Sequence, residues 1–147
     1  MAHYHPVKDI DLKWIWSVTQ SVGEGQQNAR TDVMLVQHLI NSVMVQLGLC
    51  DSQGRPIRSY LMRDGYWGPK TALAVAAYQY VAKHVRRRYI STDGTVSPCG
   101  ASGWTSSGGV QYTIVFLNRD YRDIHGKMAD EKDFPAALKK DVSRVRR

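Results

Sequence analysis

Residues 64–79 read DGYWGPKTALAVAAYQ, a run that sets a tight turn, a helix start and an apolar helix face in one continuous signal. Asp64 and Gly65 make the turn, because glycine takes positive φ freely and an aspartate side chain bonds its own backbone two residues on. Tyr66 and Trp67 then present two rings. Gly68, Pro69, Lys70 and Thr71 open a helix: proline at the first helical position lacks only an amide hydrogen that would find no helical partner. Ala74, Val75, Tyr78, Val81, Ala82 and Val85 recur at spacings of three and four, which is one face of an α-helix running through Val85.

Upstream, Val33, Val36, Ile40, Val43, Met44 and Leu47 share a face of a helix from about Asp32 to Leu47, and Gly48 stops it. Asp51–Ser59, with Gly54 and Pro56, reads as a loop. Downstream, Ser91–Gly109 is a Gly-, Ser- and Thr-rich loop holding one large ring, Trp104. Val110, Ile114, Leu117 and Tyr121 then predict a third helix, although the β-branched run Thr113–Val115 would also suit a strand. Phe134 and Pro135 open a last short helix with Leu138, Val142 and Val145 on one face. At the other end, Met1–Pro6 reads as a tail without structure. Ile10, Trp14, Ile15 and Val18 keep helical spacing, so a short amphipathic helix is expected over Asp11–Thr19, with Ser21–Asn28 as a linker.

These blocks resemble the peptidoglycan-binding domain-like family, small three-helix modules that attach proteins to bacterial cell wall. The family's central DG-aromatic-G-x-x-T turn and A-V-x-x-aromatic-Q helix are matched by Asp64, Gly65, Trp67, Gly68, Thr71, Ala74, Val75, Tyr78 and Gln79. Its first-helix V-x-x-L-Q pattern is matched by Val33, Val36 and Gln37, with Val in place of Leu. A second turn, DG-x-V-x-P, is matched by Asp93, Gly94, Val96 and Pro98. The resemblance covers Thr31 to Asp123. It departs from the family in an excess over Cys50–Met62 and in a second helix that runs on to a basic end. It implies an all-α fold, a three-helix orthogonal bundle with short extra helices at both ends. The chain then divides into an N-terminal extension (1–30), the binding-type domain (31–125) and a basic C-terminal extension (126–147).

Composition narrows the function. The chain of 147 residues carries a formal charge of +7, which suits an anionic partner: wall polymer, nucleic acid or a membrane surface. Arg86, Arg87 and Arg88 read as a solvated helix end, and Lys139, Lys140, Arg144, Arg146 and Arg147 as a basic tail. No apolar run approaches the roughly 20 residues of a membrane span. Met1–Val18 lacks the pattern of a secretory signal, so synthesis in the cytoplasm and delivery to periplasm or wall by a non-classical route are expected. Cys50 and Cys99, the two cysteines, leave a disulfide and two free thiols both open.

The residues for catalysis are missing. A zinc peptidase needs converging His and acidic ligands, whereas His38, His84 and His125 stand apart in sequence and His3 and His5 lie at the N-terminus. A muramidase needs paired carboxylates across a cleft, commonly with a glutamate in an apolar pocket; Glu24 and Glu131 are the chain's two glutamates and neither has that setting. We therefore expect no enzyme, no metal and no cofactor.

Ring faces beside a few fixed polar groups are what grip sugars and short peptides. Arg63, Tyr66, Trp67, Tyr78, Trp104 and Tyr112 are the candidate ligand residues, with Gln37 and Gln79 as polar core partners of loop backbone. The expected function is noncatalytic peptidoglycan binding, to glycan strand or stem peptide, as a targeting or adaptor unit of a phage lysis or contractile or specialised secretion system. A partner protein from such a system is part of that expectation. The alternative is an interaction module that uses the same scaffold to hold a protein or nucleic acid inside the cell, with nucleic acid the weaker of the two.

Overall fold

The computed structural model describes residues 2–6, 12, 14–100 and 110–145. Strand β1 (His3–Pro6) pairs antiparallel with β2 (Trp14–Ser17), and Tyr4 faces Trp16 across the ladder. Helices α1 (Arg30–Val43) and α2 (Pro69–Tyr80) follow, the latter continuing into a π-helical turn over Val81–Val85. Then come α3 (Thr113–His125), a 3-10 turn (Glu131–Asp133) and α4 (Ala136–Val145).

The described residues are mixed α/β, with four α-helices and a two-stranded antiparallel sheet, so the all-α three-helix orthogonal bundle expected from the sequence is corrected. The correction lies mainly at the N-terminus. Trp14–Ser17 is a strand and not a helix, and His3–Pro6, within the stretch expected to be a tail, supplies its partner strand. The spacing of Trp14, Ile15 and Val18 fits a helix, but the large residues Trp14, Ile15 and Trp16 equally suit a strand, and pairing decides the matter. Tyr4 stacks on Trp14 with ring centroids 4.8 Å apart, and Trp16 meets Phe134 edge-on at 5.2 Å. Asn118 of α3 completes the strand's other edge. Its side-chain oxygen accepts from the Trp16 N–H at 2.9 Å, and its Nδ2 donates to the Trp16 carbonyl at 2.9 Å. The Trp16 backbone groups that face away from β1 are thus satisfied by a side chain.

One apolar core joins all these elements. α1 packs against α2, α3 and α4, β2 lies on α3, and β1 on α4. Ile15 and Trp16, Leu35, Leu39 and Ile40, Ala74 and Tyr78, Ile114 and Leu117, and Leu138 and Val142 are all buried in it. Pro69 stands at the start of α2, where the sequence places it, and Gly126 ends α3 in the left-handed conformation at φ +75°.

Of the three arginines after α2, Arg87 is exposed, but Arg86 and Arg88 are not part of a solvated helix end. Arg86 Nη1 donates to Asp120 Oδ1 at 2.7 Å, and Arg88 reaches both oxygens of the same carboxylate at 2.6 and 2.8 Å. Asp120 also accepts from the Tyr78 hydroxyl. Its side chain is wholly buried, and a buried carboxylate persists only when paired and hydrogen-bonded. Burial, then the charge of Asp120, pushes the Tyr78 hydroxyl well above its ordinary pKa, so it stays a donor. Among the described residues, no helix is long and apolar enough to cross a membrane.

Candidate functional site

The two Asp-Gly turns are each held by a glutamine from the preceding helix. At the first, Gln37 of α1 turns its Oε1 to the Gly65 N–H at 3.0 Å, while its Nε2 lies 3.1 Å from Thr71 Oγ1, 3.2 Å from the Tyr66 carbonyl and 3.3 Å from Asp64 Oδ1. At the second, Gln79 of α2 accepts from the Gly94 N–H at 2.8 Å and donates to the Thr95 carbonyl at 3.1 Å and Thr113 Oγ1 at 3.0 Å. Only an acceptor can meet the glycine N–H, which fixes the amide orientation in both. Asp64 accepts from the N–H of Tyr66, and Asp93 from that of Thr95, each at 2.9 Å. Gly65 and Gly94 sit at φ +78° and +76°. Helix, turn and the first residues of the next helix are thus tied by one buried amide at each corner.

The first turn opens onto a groove of about 390 Å³. Gln37, Asp64 and Thr71 bring polar atoms to it; Tyr66, Gly68, Pro69 and Lys70 line one side and Tyr60, Leu61 and Met62 the other. Asn41 builds the second wall. It donates to the Leu61 carbonyl at 2.8 Å and accepts from the Leu61 N–H at 2.8 Å, pinning that residue inward. Side chains alternate along an extended segment, so the neighbours face out. Tyr60 is 63% exposed and Met62 77%, against 7% for Leu61. On the opposite wall Tyr66 is 69% exposed. Its ring lies over Gly68, where a β-carbon would come within 2.7 Å of it. Gly68 therefore makes room for the ring, since its own φ of −128° suits any residue.

The electrostatics of the groove are mixed. The Tyr66 N–H, aided by Gln37, holds the Asp64 carboxyl below the usual range, so it stays ionised. Lys70 lines the same groove at the start of α2. Cys50 and Cys99 are not joined in a disulfide; Cys99 is buried, and burial pushes its thiol up to about 11, which leaves no thiolate at neutral pH. Among the described residues, no three His, Cys, Asp or Glu side chains gather as a metal site.

The candidate ligand residues are not brought together. Tyr66 lines the groove. Trp67 is half-buried and packs on the core. Tyr78 is 1% exposed and bonded to Asp120. Tyr112, also half-buried, lines a separate polar cavity of about 260 Å³ at the second turn, with Ser91, Asp93, Thr95 and Ser97. Trp104 lies outside the described residues. Arg63 points away from the groove to His38 and the Asp133 carbonyl, each 3.0 Å from its Nη1.

Sequence reasoning missed Tyr60, Met62 and Lys70 as groove residues. The signal available was the excess segment Cys50–Met62, which folds back on itself through a bridge between Cys50 and Pro56 and delivers Tyr60–Met62 to the first turn. Comparison of the chain with protein-family models, with curated proteins and with solved structures finds no match.

Proposed function

We propose that the chain is a noncatalytic peptidoglycan-binding module, a targeting or adaptor unit whose ligand lies in the groove between Tyr60–Met62 and the first turn. The observation that carries the reading is the groove itself: two tyrosines and a methionine stand exposed on backbone pinned by Asn41 and Gln37. Exposed rings beside a few fixed polar groups suit sugar faces and short peptides, and the pinned backbone limits the freedom lost on binding to that of the side chains. The choice of wall polymer follows from the motif blocks around Gln37, Asp64 and Gln79, and delivery by a phage or secretion apparatus accords with it.

The test is sedimentation with purified, insoluble wall sacculi at low salt. Most of the protein is expected in the pellet, and protein left in the supernatant would defeat the wall-binding reading. Tyr66→Ala and Tyr60→Ala are each expected to weaken retention roughly tenfold, as losing an exposed ring anchor does. Tyr112→Ala, at the other turn, should bind as the parent does. Arg86 and Arg88 are engaged with Asp120 and are not presented as a pair of free phosphate contacts to a nucleic-acid partner.

A further inference from the structure

We propose that the pocket on the far side of Tyr60, lined by His38, Asn41, Ser42, Gln46, Arg63 and His125, is a binding site for a carboxylate group. The inference goes beyond the groove reading and does not rest on it, since Tyr60 alone is shared between the two linings.

Arg63 is the reason. Its Nη1 donates to His38 Nδ1 and to the Asp133 carbonyl, both neutral acceptors, each at 3.0 Å. Among the described residues no carboxylate pairs with it, and its Nε and Nη2 make no hydrogen bond. A guanidinium anchored by one nitrogen keeps a planar edge of donors free, which is the shape that takes a carboxylate in two parallel bonds. The lining of about 350 Å³ contains no acidic side chain to repel an anion. Asn41 and Ser42 are spent on Leu61 and the His38 carbonyl, leaving the exposed Gln46 amide as a further donor. His125 is held at the rim by a 2.8 Å bond from its Nε2 to the Ser42 carbonyl. One permanent cation balances a monoanion. A dianionic phosphate would need a second.

His38 makes the pocket readable. Its Nδ1 accepts from Arg63, so the neutral ring carries its proton on Nε2, which is buried without a partner. The charged and titratable groups around it are Arg63, Asp133, His125 and Tyr121, with the Phe134 ring packed edge-on at 5.0 Å. Burial first, then the Arg63 charge, hold its pKa down to about 4. A carboxylate bound to Arg63 offsets that charge and must raise the value.

The experiment is an imidazole ¹H–¹⁵N titration of the full chain with sodium acetate at constant ionic strength, with acetamide as the neutral isostere. At neutral pH, where acetate is ionised, it is expected to shift the His38 and His125 resonances saturably, with a dissociation constant on the order of 1–10 mM. Acetamide should not, and phosphate should bind more weakly than acetate. Arg63→Gln should abolish the response and Arg63→Lys, which keeps the charge but loses the fork, should weaken it roughly tenfold. No saturable shift up to about 100 mM acetate, well above the expected constant, would overturn the site. So would an equal response to acetamide, tighter binding of phosphate, or a folded Arg63→Gln or Arg63→Lys protein that binds acetate as the parent does.

Discussion

Gln37 meets the Gly65 N–H at 3.0 Å and Gln79 meets the Gly94 N–H at 2.8 Å, yet the two corners present different surfaces to solvent. The first is walled by Tyr60, Met62 and Tyr66. The second is lined by serine, threonine and aspartate side chains, with Tyr112 half-buried among them. The shared parts are the amide, the left-handed glycine and the threonine of the next helix: the amide meets the glycine N–H, and the threonine hydroxyl accepts from the amide. What differs is the segment laid alongside. The comparison teaches that the motif residues hold the corners, while any recognition depends on the side chains that unrelated segments bring there.

The two glycines should break the likeness most sharply. Both need positive φ, which costs a residue with a β-carbon about 1–2 kcal/mol. At Gly94 nothing lies within 4 Å of an added β-carbon, whereas at Gly65 it would meet the Arg30 carbonyl oxygen at 2.5 Å. Backbone cannot swing aside as a side chain can. Gly65→Ala is therefore expected to destabilise by about 3 kcal/mol or more, and Gly94→Ala by about 1 kcal/mol, in urea unfolding. Equal losses would mean that the first turn is not seated against α1 as described.

A second contrast is in acid. His38, next to Gln37, has its pKa lowered from 6.5 to about 4. As pH falls below 6.5 the unfolded chain binds the proton first, so the folded state loses stability down to about pH 4, where the folded ring also titrates. The loss should reach about 3 kcal/mol across that window. His38→Gln should remove most of that slope, and an unchanged slope would show that the ring is not buried neutral.

The amides come next. Gln37→Leu and Gln79→Leu each strand a glycine N–H and a threonine hydroxyl, for an expected cost of about 2–3 kcal/mol apiece. Similar values would confirm that the corners are equivalent; a Gln79 variant within about 0.5 kcal/mol of the parent would not. The smallest stability effect is expected at the groove. Tyr66→Ala should change unfolding by about 0.5 kcal/mol or less, because the ring is 69% exposed, and yet it should lower retention on sacculi.

Helices α1, α2 and α3 were legible because each carries its own punctuation or period: Pro69 opens α2, and Ile114, Leu117 and Tyr121 mark the buried side of α3, while α1 ends at Val43, short of the expected Leu47, and the left-handed Gly48 closes the turn beyond it. The roles of Gln37 and Gln79 were legible too, since a buried amide must find partners and the turns lie nearby. The N-terminal sheet was not. Trp14, Ile15 and Val18 satisfy a helical spacing, and the competing answer depended on Tyr4 and on Asn118, the latter 102 residues away from Trp16. The candidate site was legible only in Tyr66. Tyr60 and Met62 are exposed because Asn41 turns Leu61 inward across 20 residues of chain.

Local chemistry thus determined where the helices begin and bend, since glycine φ, proline's missing N–H and apolar period act within a few residues. Which strand pairs, which arginines are neutralised and which rings stand around a groove were decided only in three dimensions. Asn41, Asn118 and Asp120 make those choices through hydrogen bonds to Leu61, Trp16, Arg86 and Arg88. A polar side chain's partner is set by what folding places beside it, and nothing in its own neighbourhood of sequence names that partner.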